Sequence, residues 1–230
     1  MTSLTIKWNE FEVLKKHDID KDKPYLWVFG IVIDGKSLTS HDFVIRKPCT
    51  SDNLGGQKFK KGDTTAVPSD LDISREVSPF LGLATAGVVV VAWENGTTRD
   101  SVIADAYDAA ADTINDFVRD MLVELKFEPA PEDLIQLRAD IEAEVRATIR
   151  AGSGVLGLLH DHNIGTEQTI VNLGEPFEQC LDYRFTDHGA DYILKGDLSY
   201  GVPTPPGPPI NPGDIPVKNQ SPKPTSTVRH

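Results

Sequence analysis

Gly87-Val88-Val89-Val90-Val91-Ala92-Trp93 is followed at once by Glu94-Asn95-Gly96, and then by apolar residues at Val102, Ile103, Ala106, Ala110, Ile114, Phe117, Met121 and Leu125. The first run is β-branched and unbroken, and far shorter than the roughly 20 residues that span a bilayer as a helix, so it reads as a central strand. The second set recurs every three or four residues, which is the period of one face of a long helix. The change of period at Asn95-Gly96 therefore separates a strand-rich part of the chain from a helical one.

Working forward, Thr97 with Asp100 three residues on gives a reduced form of a capping box, and Pro129 and Pro131 stop the helix. A second helix is expected from about Glu132 to Ala151, with Leu134, Leu137, Ile141, Val145 and Ile149 on its apolar face and Gly152 just past its end. The short link between them predicts an antiparallel helical hairpin. Working backward, Leu4-Thr5-Ile6 alternates and Tyr25 to Ile33 is dense in β-branched and aromatic residues. Asp34-Gly35 is a favoured turn pair that would join the latter run to Phe43-Val44-Ile45. Strand signals return in Ile170-Val171, Cys180 to Phe185 and Asp191 to Tyr200, with Asp187-His188-Gly189 as a hairpin turn. Tyr183 and Phe185 alternate with Asp182, Arg184 and Thr186, as in an antiparallel sheet with one wet face.

The fold class that follows is α+β: a mainly antiparallel, β-sandwich-like sheet domain with an inserted or packed antiparallel helical hairpin. Residues 1–96 supply the first strands, 97–162 the hairpin, and 163–200 the last strands, which share a sheet with the first. Residues 201–230 form a tail with nine of the chain's 16 prolines. Such a composition buries too little apolar surface to offset its ordering entropy, so the tail is expected to be extended. Pro205-Pro206-Gly207-Pro208-Pro209 favours polyproline II, either as a spacer or as a ligand for an aromatic groove.

The net charge of −12 argues against nucleic acid as a partner, since lysine and arginine supply most of the affinity for phosphates. It also disfavours anionic lipid, so membrane contact is not the preferred reading. Cys49 and Cys180 belong to no zinc-binding spacing and read as reduced, buried thiols. The N-terminus has neither a basic nor an apolar leader region, which implies cytoplasmic synthesis.

Asp18, Asp20 and Asp22 alternate ahead of Pro24, and carboxylates so spaced on a loop can converge on a hard cation such as Ca²⁺. The flanking Lys15, Lys16, Lys21 and Lys23 support the other reading, a charge-balanced solvated loop. Over Leu14 to Val28 the chain resembles the first calcium loop of C2 domains, in which an aspartate-bearing loop precedes Asp-Pro-Tyr and a strand; here the stretch is Asp22-Lys23-Pro24-Tyr25-Leu26-Trp27-Val28. That resemblance implies an eight-stranded sandwich that gathers calcium between loops and binds a lipid head group or a partner. Asp187 and Asp191 would help complete the shell.

On the first long helix Asp105, Asp108, Asp112, Asp116 and Asp120 form one stripe opposite the apolar face. Like charges at that spacing repel by a few tenths of a kcal/mol per pair, so the stripe is either a solubilising surface or a contact for a basic partner. Catalytic constellations are thin. Gly152-Ser153-Gly154 lacks the Gly-x-Ser-x-Gly elbow, Cys180 and His188 lack a third member, and His160-Asp161-His162 reads as the polar end of a helix. Gly55-Gly56 ahead of Lys58, Lys60 and Lys61 does not fit a phosphate loop. The leading expectation is thus a non-enzymatic interaction or assembly module. It would bind a protein partner or itself through rim loops, the acidic stripe and Pro205, Pro206, Pro208 and Pro209. A calcium-dependent membrane-binding domain is the second reading and a hydrolase of unrecognised type the third.

Overall fold

A computed structural model describes residues 2–16, 22–96, 98–126, 128–153 and 161–201. In chain order the elements are β1 (Thr2–Lys15), β2 (Pro24–Ile33), α1 (Gly35–Ser40), β3 (Val44–Arg46), β4 (Thr64–Ala66), β5 (Ile73–Val77), β6 (Thr85–Glu94), α2 (Asp100–Val123), α3 (Pro131–Ser153), β7 (His162–Asn172), β8 (Phe177–Phe185) and β9 (Asp191–Tyr200). They build an α+β fold with two antiparallel sheets. One has the order β4-β1-β9-β8, with β5 also on β1, and the other is β3-β2-β6-β7. The expected union of first and last strands is present: β1 pairs with β9 from Leu4↔Tyr200 to Lys15↔Asp191.

Strand β1 shows how the sequence meets the core. Leu4, Ile6 and Trp8 are buried, and then Phe11 and Val13. The even-to-odd switch coincides with a register shift between Trp8 and Glu10, where an extra residue turns the pleat over. Without that bulge Phe11 would point away from the core, because strand side chains alternate with a period of two.

Strands β2 and β6 are buried along their whole length, and their alternate residues enter two different cores. Leu26, Val28, Val32, Val88 and Val90 join a cluster with Ile6, Phe11, Tyr192 and Leu194 of the other sheet. Tyr25, Trp27, Phe29, Val89, Val91 and Trp93 join a second cluster with Ile103, Tyr107, Ile114, Leu137 and Ile141 of the long helices. A strand covered on both faces has no polar positions to offer, which explains the unbroken valine run. Tyr107 keys α2 onto the sheet: its ring stacks on Phe29 at 4.5 Å, meets Trp27 edge-on at 5.6 Å, and its hydroxyl donates to Lys47 O at 2.6 Å. Helices α2 and α3 run antiparallel, with Val102 near the start of α2 against Gly152 near the end of α3.

Several local expectations differ from the structure. Asp34-Gly35 is no hairpin turn, although it does connect β2 to β3. Asp34 caps α1 by accepting from Lys36 N and Ser37 N at 3.1 and 2.8 Å, while Ser37 Oγ accepts from Asp34 N at 2.8 Å. An Asp that satisfies helix N–H groups wins over the turn that its pairing with Gly suggests. Helix α2 begins at Asp100 behind Arg99, with no side-chain cap, and Thr97 lies outside the described residues. It ends at Val123, well before Pro129, so Leu125 leaves the apolar stripe with φ 57° and 78% exposure. Pro131 starts α3 rather than stopping α2, because the first helical position needs no N–H. His162 opens strand β7 instead of closing a helix.

Candidate functional site

The two ends of the sheet carry different chemistry. At one end, where β6 finishes and β7 begins, Asp161 is buried and collects donors from three places. Tyr25 Oη donates to Asp161 Oδ2 at 2.7 Å, and the backbone N–H groups of Gly96 and Thr98 donate to Oδ1 at 2.9 and 3.1 Å. Thr98 Oγ1 accepts from Asp161 N at 2.9 Å. Burial, and then the Asp161 charge and hydrogen bond, push the Tyr25 hydroxyl well above its ordinary pKa. This knot fixes the entry to α2 against the start of β7.

Above the knot, a cavity of about 500 Å³ opens between the C-terminal half of α3, the start of β7 and the β8–β9 turn. Trp93, Val145 and Ile149 give it apolar walls, Arg146, Arg150, His162 and His188 give it cationic or polar ones, and Glu142, Asp161 and Asp187 also line it. The two imidazoles lie 5.1 Å apart at 44°. Arg138, also on the wall, is held by Glu142 at 3.2 Å and Glu167 at 3.7 Å. Burial pushes the Glu167 carboxyl up, against the pull of Arg138.

At the other end of the sheet, Phe80 and Leu83 exchange two backbone hydrogen bonds of 2.9 Å around a two-residue turn of Leu81 and Gly82, with φ 51° and 81°. Positive φ at both central residues is the type I′ hairpin geometry, which Asn-Gly satisfies easily and a leucine does not. All three apolar side chains of the turn face water, with Phe80 and Leu83 each 52% and Leu81 86% exposed. The tip of the helical hairpin adds Val123, Leu125 and Ile135, also exposed. A hydrogen-bonded chain brings these two groups to one end of the molecule. Thr85, two residues beyond Leu83, donates to Asn172 Oδ1 at 3.0 Å, and Asn172 donates to Glu128 in the interhelical link at 3.1 Å.

Beside the tip, a second cavity of about 530 Å³ runs between α2 and α3. Its walls hold Asp116, Asp120, Glu124, Asp133, Asp140 and Glu144 against a single Lys126. That lysine bridges Glu124 at 2.8 Å and Asp133 at 3.7 Å.

The predicted aspartate stripe is solvent-facing but not uniform. Arg46 of β3 pairs with Asp108 and Asp112, so the fold itself relieves part of the expected repulsion. Asp116 pairs with Arg119, and Asp116 and Asp120 line the acidic cavity. Asp105 is exposed and outside that cavity. Of the expected cation loop, Asp18 and Asp20 lie outside the described residues, whereas Asp22 is buried and accepts from Tyr192 Oη at 2.7 Å. Asp191 faces Arg184 through hydrogen bonds of 2.9 and 2.7 Å, which hold its carboxyl below the usual range. Among the described residues no three His, Cys, Asp or Glu side chains are placed to hold a metal ion. No described helix is long and apolar enough to cross a membrane.

Neither cysteine is the buried thiol expected, Cys49 being half-buried and Cys180 exposed on the wet face of β8. Cys180 lies opposite Asp197, five residues from the end of β8, or about 17 Å along the strand from the turn that bears His188, so the two do not form a pair. His160, Pro205, Pro206, Pro208 and Pro209 lie outside the described residues. The arginines of α3 and the Phe80-Leu83 turn escaped the sequence reading. Arg146 and Arg150 look like any polar helix face, and Leu81-Gly82 is not among the favoured turn pairs. No family model, curated protein or solved structure matches this chain.

Proposed function

We propose that the protein is a non-enzymatic interaction module, built as two sheets stacked sandwich-fashion with the helical hairpin packed over one of them. It would bind a protein partner at the end formed by the Phe80-Leu83 turn and the hairpin tip. The observation that carries this is the gathering of exposed large apolar side chains, Phe80, Leu81, Leu83, Val123, Leu125 and Ile135, at one end of the molecule. Single exposed apolar residues need no explanation, but a grouped set rimmed by charge is the usual mark of a contact surface. The acidic cavity beside it favours a partner with lysine or arginine next to its own apolar residues. A second copy of the chain is disfavoured, because a two-fold contact would lay this acidic patch on itself. In this reading Pro205, Pro206, Pro208 and Pro209 supply a further contact.

The test is affinity isolation with the full chain as bait, comparing wild type with a Leu81→Asn, Leu125→Ser double variant and with an Arg146→Gln control. The expected result is a specific, salt-sensitive partner retained by wild type and the control and lost by the double variant. A partner held equally by all three would overturn the assignment of this end. Sedimentation with neutral and anionic vesicles, with and without calcium, tests the membrane alternative; binding there that depends on Leu81 would replace the protein partner with a lipid surface.

A further inference from the structure

At the opposite end from the proposed partner surface, and independently of it, we infer that the cavity between α3, β7 and the β8–β9 turn binds a small organic phosphate through Arg146 and Arg150. The two guanidinium groups stand four residues apart on one helix, so they are neighbours on its surface and repel each other. In a chain of net charge −12 carboxylates are plentiful, yet among the described residues neither arginine has an ion pair. The three carboxylates that line the cavity have other partners. Glu142 holds Arg138, Asp161 takes the hydrogen bonds of Tyr25, Gly96 and Thr98, and Asp187 meets His188 at 3.7 Å. Residues 154–160, which connect α3 to Asp161, include no Asp or Glu.

An anion placed between the two arginines would remove their repulsion and accept from both. Paired guanidinium groups match phosphate geometry, since each presents a planar fork of donors. His162 of β7 and His188 of the β8–β9 turn, their rings 5.1 Å apart, line the same cavity. The cavity, at about 500 Å³, falls within the range of small-molecule sites and exceeds what a bare phosphate needs. Trp93, Val145 and Ile149 offer the remaining space to an apolar or ring-bearing organic portion. The Trp93 indole is buried, and its Nε1 has no hydrogen-bond partner among the described residues. It reports on the site through its fluorescence.

The experiment uses the full chain, with inorganic pyrophosphate and phenyl phosphate as probes and sulfate and chloride at matched ionic strength as controls. Melting temperature and tryptophan fluorescence are read together. A ligand that binds only the folded state raises the melting temperature with concentration. The expected outcome is a saturable rise and a fluorescence change with phenyl phosphate, weaker with pyrophosphate and absent with chloride. An Arg146→Gln, Arg150→Gln double variant should weaken the response at least tenfold, while Arg119→Gln on α2 leaves it unchanged. Equal, non-saturating shifts with every salt would show charge screening and overturn the inference, as would a response that the double variant retains. Should that variant fold poorly, Ile149→Trp, which fills the cavity and keeps both arginines, must also abolish the response for the site to stand.

Discussion

Tyr25 and Asp161, 136 positions apart in the chain, share a buried hydrogen bond of 2.7 Å, and the carboxylate uses its other oxygen to hold Gly96 N and Thr98 N. One acidic side chain thus joins the middle of a sheet, the approach to α2 and the first residues of β7. Removing the hydroxyl with Tyr25→Phe leaves the two backbone bonds in place. It should cost about 1.5–3 kcal/mol, the range for a hydrogen bond to a charged group. Asp161→Ala should cost more, because three donors lose their acceptor in the interior. Urea unfolding read by circular dichroism checks both, and equal losses for the two variants would show that the backbone bonds contribute nothing.

The same buried hydroxyls predict an alkaline limit to stability. Burial raises Tyr25, Tyr107 and Tyr183 above the ordinary tyrosine value. The Asp161 charge adds to this at Tyr25, while hydrogen bonds to Lys47 and Thr169 offset part of it at Tyr107 and Tyr183. Above a pH of about 10 the unfolded chain loses these protons and the native state keeps them, so unfolding becomes more favourable as pH rises. Stability should be flat with respect to these groups below that point. It should then fall by roughly 1.4 kcal/mol per pH unit for each tyrosine until its native pKa is reached. Urea midpoints between pH 8 and pH 11 measure the slope, and Tyr183→Phe should reduce it by about one part in three.

Much of this architecture was legible because it follows period. The valine run of β6, the three-to-four-residue spacing of α2 and α3 and the alternation of β8 each signal an element that the fold contains, although α2 stops at Val123, short of Leu125 and Pro129. What escaped depends on contacts between residues distant in the chain. Asp34 reads as a turn residue until Ser37 and Ser78 are seen to donate to it. Asp22 reads as one carboxylate of an acidic loop, and nothing local to it shows that it is buried and accepts from Tyr192, 170 positions later. The aspartate stripe reads as unrelieved repulsion until Arg46 arrives from a three-residue strand. The candidate sites were harder still. The arginine pair stands out only once the neighbouring carboxylates are matched to other partners, and the Leu81 turn only once its backbone angles are known.

Close backbone approach gives a sharper test of sheet geometry. A Cβ on Gly87 would lie 2.5 Å from the Thr169 carbonyl oxygen and 2.8 Å from an Ile170 side-chain carbon, where β6 pairs with β7. Backbone cannot swing aside as a side chain can, so Gly87→Ala should destabilise by about 3 kcal/mol. Gly174 has nothing within 4 Å of the corresponding position, and Gly174→Ala should be neutral or stabilise by up to about 1 kcal/mol. Thermal denaturation of the pair decides the matter, and similar melting temperatures would count against the β6–β7 register.

Leu81 is where stability and recognition should part. A leucine at φ 51° carries a steric cost of about 1–2 kcal/mol relative to a residue at ease there, and its side chain gains no burial in return, being 86% exposed. Leu81→Asn gives the Asn-Gly pair that type I′ turns favour, and should therefore raise the melting temperature by a few degrees. If the turn is a contact surface, the same substitution removes one of its apolar anchors, so the more stable variant should hold its partner less well. An ordinary surface position would show the gain in stability with no loss of binding. A structurally required leucine would show a loss of stability instead. Only a residue retained for contact, at the expense of local strain, moves the two measurements in opposite directions.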